Sequence, residues 1–232
     1  VTKKPQAKKA QPPEGKTPEQ RDRAERIVDW AQRHRRPLIG TAAAAAVIAI
    51  GVWFTIEYRQ RKAEAAERAL ADARVAAQSG NLPLAASDLS RLIGTYGGTL
   101  AADQAAIVLA RVRLAQGEPA LAAEELRTAL ARGLADQFRA PAYGLLATAL
   151  EEVGNLAEAG EAFAQASDAA WYVFLKAQYL TEAGRAFWAA GDTARAIATY
   201  ERVLRDFEDA PSATEARVRL GELRGAPGAS RG

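Results

Sequence analysis

Two pairs of adjacent carboxylates, Glu124–Glu125 and Glu151–Glu152, are the residues most open to reading as an acid and its base. Both pairs lie in sequence of helical period, where neighbours point about 100° apart, so the members of each pair diverge instead of flanking one substrate. The chain has no cysteine, which removes thiol nucleophiles, thiolate metal sites and disulfides. Its single histidine, His34, stands among arginines in "QRHRR" with no second imidazole to share a metal. "GKT", Gly15 to Thr17, fails as a phosphate loop: Ala10 occupies the place of the required first glycine, and a Pro-rich stretch precedes it instead of a strand. No catalytic, cofactor-binding or metal-ligating residue is expected, and the chain reads as non-enzymatic.

Arginine offers a different chemistry. Arg74, Arg111 and Arg185 each stand six residues before a glycine, at Gly80, Gly117 and Gly191. A guanidinium presents a planar fork of donors, so a row of them can grip carboxylates. Whether the three form a row depends on what repeats around them.

Four phrases, "GNLPLAASDL", "GEPALAAEEL", "GNLAEAGEAF" and "GDTARAIATY", open on Gly80, Gly117, Gly154 and Gly191, thirty-seven residues apart each time. Five residues after each glycine stands an alanine (Ala85, Ala122, Ala159, Ala196), and nine after it a large residue (Leu89, Leu126, Phe163, Tyr200). Seven before it stands a small one: Ala73, Ala110, Ala147 and Gly184, with Gly221 ahead of Gly228 continuing the series. Glycine ends a helix in the left-handed conformation, and Asn81, Glu118, Asn155 and Asp192 suit the start of the next. The small residues let two helix axes approach, and the large ones fill the gap beside them. Each hairpin leaves one face bare, so consecutive copies must stack. An alanine-rich composition, 49% apolar with only 7% aromatic, suits such close helix packing.

This pattern of small residue, glycine turn, Ala, then aromatic or Leu resembles the tetratricopeptide repeat family, best in "GRAFWAAGDTARAIATYERVLRDFEDAP", residues 184–211. The resemblance covers about residues 63–224, and the period of thirty-seven exceeds the family's usual thirty-four; longer helix ends and connections, as at "TYGGT" and "SDAAWYVF", would absorb the difference. It implies an all-α solenoid of four helical hairpins plus a C-terminal capping helix near Pro211 to Arg224, occupying residues 57–224 before a flexible tail, 225–232. It also implies protein binding on the concave face made by the first helix of each repeat. By position that face would hold Leu70, Arg74, Gln104, Ile107, Arg111, Leu114, Thr148, Glu151, Gln178, Thr181, Arg185 and Trp188, with Trp188 as an aromatic anchor.

The amino-terminal part is different. Residues 1–36 carry eleven Lys and Arg against five Asp and Glu, whereas 57–232 carry twenty against twenty-three. The basic character therefore belongs to an arm, suited to anionic lipid headgroups. Residues 1–17, rich in Lys, Pro and Gln, predict disorder. Thr17 and Pro18 start an amphipathic helix over 18–36 with Ala24, Ile27, Val28 and Ala31 on one face. Residues 37–56, "PLIGTAAAAAVIAIGVWFTI", carry no charge and are long enough for a single transmembrane helix. With no strong breaker between Thr41 and Ser79, that helix runs directly into the first repeat helix. The basic arm favours a cytoplasmic amino terminus.

A basic arm, one anchor and four repeats form a layout that resembles the bacterial proteins that accompany the Sec translocon and assist exported chains. It implies a single-pass protein of the bacterial inner membrane with periplasmic repeats, whose partners are proteins and lipid and not nucleic acid. The other expectation is a permanent structural subunit of a large respiratory or photosynthetic membrane complex, bracing its neighbours.

Overall fold

A computed structural model describes residues 35–225 together with Arg26 and Trp30, with side chains at Ala44 and from Ala46 onward. The arm over 1–17, the tail beyond 225, His34, Gly228 and all but four residues of the helix expected over 18–36 lie outside the described residues. Those described form nine helices: α1 Arg35–Gln78, α2 Leu82–Tyr96, α3 Leu100–Ala115, α4 Pro119–Arg132, α5 Asp136–Glu152, α6 Leu156–Ala169, α7 Val173–Ala189, α8 Thr193–Asp206 and α9 Pro211–Gly225. Two compact units divide between Tyr58 and Arg59.

In the first unit, α1 carries Val47, Ile48, Ile50, Val52, Trp53, Phe54 and Ile56, every one between 50% and 70% exposed. The transmembrane helix expected over 37–56 is not shown: among the described residues no helix is long and apolar enough to cross a membrane. From Glu57 onward α1 is charged, and upstream the described side chains reach back only to Ala46 and Ala44. Helix α1 is nevertheless unbroken through residues 57–64, as the lack of a breaker predicts.

The second unit is an α-solenoid in which each helix from α2 onward packs on the next, with α3 also on α5 and α7 also on α9, and Ala66, Leu70 and Ala73 of α1 join the core of α2 and α3. Its four hairpin turns are copies of one hydrogen-bonded joint. Gly154, at φ +82°, donates its N–H to Glu151 O at 3.0 Å, and Asn155 donates to Leu150 O at 2.8 Å. The same two bonds recur at Gly80, Gly117 and Gly191, all with φ between +73° and +81°. Such a joint satisfies the last carbonyls of the first helix and needs a residue without a Cβ at its left-handed position. Asn81 and Asp192 then accept from Leu84 N and Arg195 N and cap the second helix.

A 17-residue first helix, a 14-residue second helix and two three-residue joints fill the period from α5 to α7. The residues beyond thirty-four therefore sit in the longer first helix. Connections such as Gly97–Thr99 stay short, contrary to the expectation that they would lengthen. Two side chains tie connections down across hairpins. Lys62 Nζ on α1 donates to Gly97 O at 2.9 Å, and Asp103 on α3 accepts from Ala135 N at 3.0 Å, ahead of α5, whose N-cap makes no side-chain bond of its own.

The repeat registers define the core. The alanines five after each turn glycine are fully buried, and Leu89, Leu126, Phe163 and Tyr200 are buried beside them. At Gly184 an added Cβ would stand 2.6 Å from Tyr200 Cε1, and at Gly160 it would stand 2.5 Å from the Phe187 ring, so these glycines are seats for aromatic side chains. The series stops at α9: Gly221 is exposed, and Ala213, Ala216, Leu220 and Leu223 pack instead, as befits a cap. Along the second helices, ion pairs link hairpin to hairpin, Arg127 to Glu158, Arg195 to Glu161 and Arg202 to Asp168, and Arg224 of the cap helix α9 pairs with Glu201 of α8. All are substantially exposed, so solvent and salt screen them and they contribute little to stability.

Candidate partner-binding groove

The twelve residues expected on the concave face occupy four registers of the first helix, thirteen, ten, six and three residues before the turn glycine, and the registers separate cleanly. Leu70, Ile107 and Thr181, all ten before, are buried. They belong to the core, and their assignment to the binding face is corrected. The reason is visible at Gly144, which holds that register in the third hairpin: the Tyr179 ring of α7 lies against it, 2.8 Å from where a Cβ would be. In the third hairpin this register is thus covered by the next one. Thr181 satisfies its hydroxyl by donating to Ala177 O at 2.9 Å.

The other registers line open surface. Arg111, Thr148, Glu151, Gln178 and Arg185 share one groove of about 400 Å³ with Pro141, Gly144, Leu145, Phe163, Tyr179 and Glu182. Three first helices build it: α3 supplies Arg111, α5 the floor from Pro141 to Glu151, and α7 the wall from Gln178 to Arg185. Arg74, Gln104, Leu114 and Trp188 are not among the residues lining it. Trp188 is 39% exposed and has the Arg219 guanidinium of the cap helix 5.8 Å over its ring, so the expected aromatic anchor is partly covered by the protein itself.

The expected arginine row is split by its partners. Arg185 Nη2 donates to both oxygens of Glu151, at 2.7 and 3.0 Å, and its Nε donates to Glu182 at 2.6 Å. Burial works against its charge, but hydrogen bonds and the field of the two carboxylates outweigh this and raise its pKa. Arg111 and Arg74 make no ion pair among the described residues, and only Arg111 faces the groove. Tyr179 stands opposite it: burial raises the phenol above its ordinary value, with the Arg111 charge pulling the other way. The groove therefore offers one uncommitted cation, one half-buried phenol, an apolar floor and a neutralised Glu–Arg–Glu cluster.

That set suits recognition. Glu151 and Glu152 diverge, one into the groove and one to solvent, and Glu125 turns to Arg113 at 3.3 Å while Glu124 is exposed. Burial raises Glu125 despite the pull of Arg113, and the charges of Glu118, which shares Arg113 at 2.9 Å, and of Glu124 add to the rise. No cluster of metal-ligating side chains occurs among the described residues. Tyr179, Leu145 and Pro141 escaped the sequence reading. Pro141 was legible in part, since a proline inside a helix marks a local irregularity, but the pairing of Gly144 with Tyr179 keeps no repeat register.

Solved structures share the fold. The kinesin light chain tetratricopeptide-like repeats of Podosopora anserina are 21% identical with a TM-score of 0.52, over 68% of this chain and 84% of that one. Pseudomonas aeruginosa pilF is 24% identical with a TM-score of 0.50, over 70% and 69%. A tetratricopeptide repeat protein from Parabacteroides merdae is 15% identical with a TM-score of 0.55, over 70% and 61%. No curated protein matches the chain. The profile of one family matches residues 29–224, spanning the apolar stretch, all four hairpins and the cap. The chain belongs to the tetratricopeptide repeat-like domain family.

Proposed function

We propose that this protein is a non-enzymatic, membrane-anchored scaffold of the bacterial cell envelope that holds a segment of a partner protein in the groove between α3, α5 and α7. The observation that carries this is Arg111, an exposed guanidinium in a groove whose other arginine is already committed to Glu151 and Glu182. A partner carboxylate, from an acidic side chain or a chain terminus, completes Arg111, while apolar residues rest on Leu145 and Tyr179.

The anchor is residues 37–56. The stretch is uncharged, and the large apolar residues from Val47 to Ile56 are exposed on α1, which supports a nonpolar environment for it. With the basic arm in the cytoplasm, the repeats face the periplasm of a single-pass inner-membrane protein. There they attend exported chains beside the translocon in a chaperone-like role. The same apolar helix would also serve a permanent subunit that braces a larger complex.

Titration with peptides ending in acidic residues tests the groove: Arg111→Ala weakens binding about tenfold, the loss of one charge-assisted contact, and unchanged binding would refute it. Alkaline extraction of membranes tests the anchor, which predicts retention in the pellet and release when Ile48 and Phe54 are replaced by arginine. Stable stoichiometric neighbours in crosslinked membranes would favour the subunit; many sub-stoichiometric exported proteins would favour the chaperone-like role.

A further inference from the structure

Where α6 passes into α7, four successive large apolar residues, Trp171, Tyr172, Val173 and Phe174, are 54% to 64% exposed. Repeat architecture does not require them. One period earlier the same places hold Leu134, Ala135, Asp136 and Gln137, and two periods earlier Gly97, Gly98, Thr99 and Leu100. The fourth hairpin alone carries an aromatic run at this edge.

The Tyr172 and Phe174 rings stack with centroids 5.8 Å apart and form one wall of a cleft of about 560 Å³. The opposite wall is the α8–α9 connection, Phe207 to Pro211. Its charges are unbalanced. Asp206 is held by Arg205 at 3.0 Å and Arg202 at 3.5 Å, but Glu208 and Asp209 are exposed and make no ion pair among the described residues. The cleft lining therefore holds one arginine, Arg205, and three carboxylates, all opposite the aromatic wall. We propose that this cleft is a second docking surface, separate from the concave groove, for a cationic segment of a partner protein in which Lys or Arg alternates with apolar residues. The cations pair with Glu208 and Asp209 and lie against the aromatic faces of Tyr172 and Phe174, while the apolar residues cover Val173 and Pro211. An anionic bilayer, the other surface that an exposed Trp–Tyr–Val–Phe run could enter, is repelled by the same two carboxylates.

The test titrates the 232-residue chain with a labelled peptide alternating Lys and Leu, and with its Glu–Leu counterpart. The proposal expects only the lysine peptide to bind, about tenfold more weakly to Glu208→Gln/Asp209→Gln and to Tyr172→Ser/Phe174→Ser, and with full affinity to Arg111→Glu. The glutamines are isosteric and exposed, so they report binding without disturbing the fold, which circular dichroism checks. Affinity that both double variants leave unchanged, or that Arg111→Glu lowers equally, would overturn the proposal. So would co-sedimentation with phosphatidylglycerol vesicles that falls with Tyr172→Ser/Phe174→Ser while peptide binding does not.

Discussion

The Tyr200 ring occupies the space that a side chain at residue 184 would need: a Cβ on Gly184 would lie 2.6 Å from Cε1 and 2.9 Å from Cδ1 and Cζ. Tyr200 is fully buried, so its ring has nowhere to retreat. Gly184→Ala should therefore destabilise the repeat unit by about 1–3 kcal/mol, lowering the melting temperature by several degrees. Ala147→Gly, at the same register one hairpin earlier, removes only a methyl group and some helix propensity, costing about 1 kcal/mol. A Gly184→Ala protein melting with the wild type would contradict this packing.

Tyr200 itself is oversized in chemistry though not in shape. Its hydroxyl is buried without a hydrogen-bond partner, and burial pushes its pKa up to about 12, with Arg219 pulling it down. Tyr200→Phe should leave stability unchanged or raise it by about 1 kcal/mol at pH 8. Below pH 10 the phenol is neutral in both states and costs nothing in linkage. Between pH 10 and about 12 the unfolded chain releases the proton while the folded chain keeps it, so wild-type stability falls as pH rises. Denaturant titrations should show the advantage of Tyr200→Phe growing across that window. A constant difference would place the hydroxyl in water.

The turn glycines should respond by a different mechanism. No atom lies within 4 Å of a Cβ built on Gly154, so Gly154→Ala meets only its own backbone at φ +82°. The expected cost is about 1 kcal/mol, similar at Gly80, Gly117 and Gly191, with Gly154→Asn costing less because asparagine tolerates this conformation. Thermal melts of the four alanine variants check the equivalence of the joints.

Arg111 and Arg185 share a register but should separate on mutation. Arg185→Ala breaks a partly exposed ion-pair cluster, costs at most about 1 kcal/mol, and leaves Glu151 to repel acidic peptides from the groove. Arg111→Ala removes no ion pair found among the described residues, so its melting temperature should match the wild type while acidic-peptide affinity drops. Equal effects of the two substitutions on stability would undo the distinction.

The hairpin period was legible because glycine at a left-handed joint cannot be exchanged without strain, and the small and large residues around it must keep their offsets for the helices to meet. Those constraints recur in every copy, so Gly80, Ala85 and Leu89 announce what Gly191, Ala196 and Tyr200 repeat. The binding face was legible only by register. Helical phase places Leu70, Ile107 and Thr181 beside the groove residues, yet packing against neighbouring helices buries them, and that packing is a long-range property. The commitment of Arg185 to Glu151, thirty-four residues away, is hidden for the same reason, as is the cover that Arg219 lays over Trp188.

Site-specific photo-crosslinking in living cells tests the groove most directly. A photoreactive residue at Gln178, exposed on the groove wall, should yield discrete adducts with other proteins that disappear in an Arg111→Glu background, whereas the same probe at the exposed Ser87 on α2 should yield none. Adducts of equal strength from both positions, or a silent Gln178, would contradict the account.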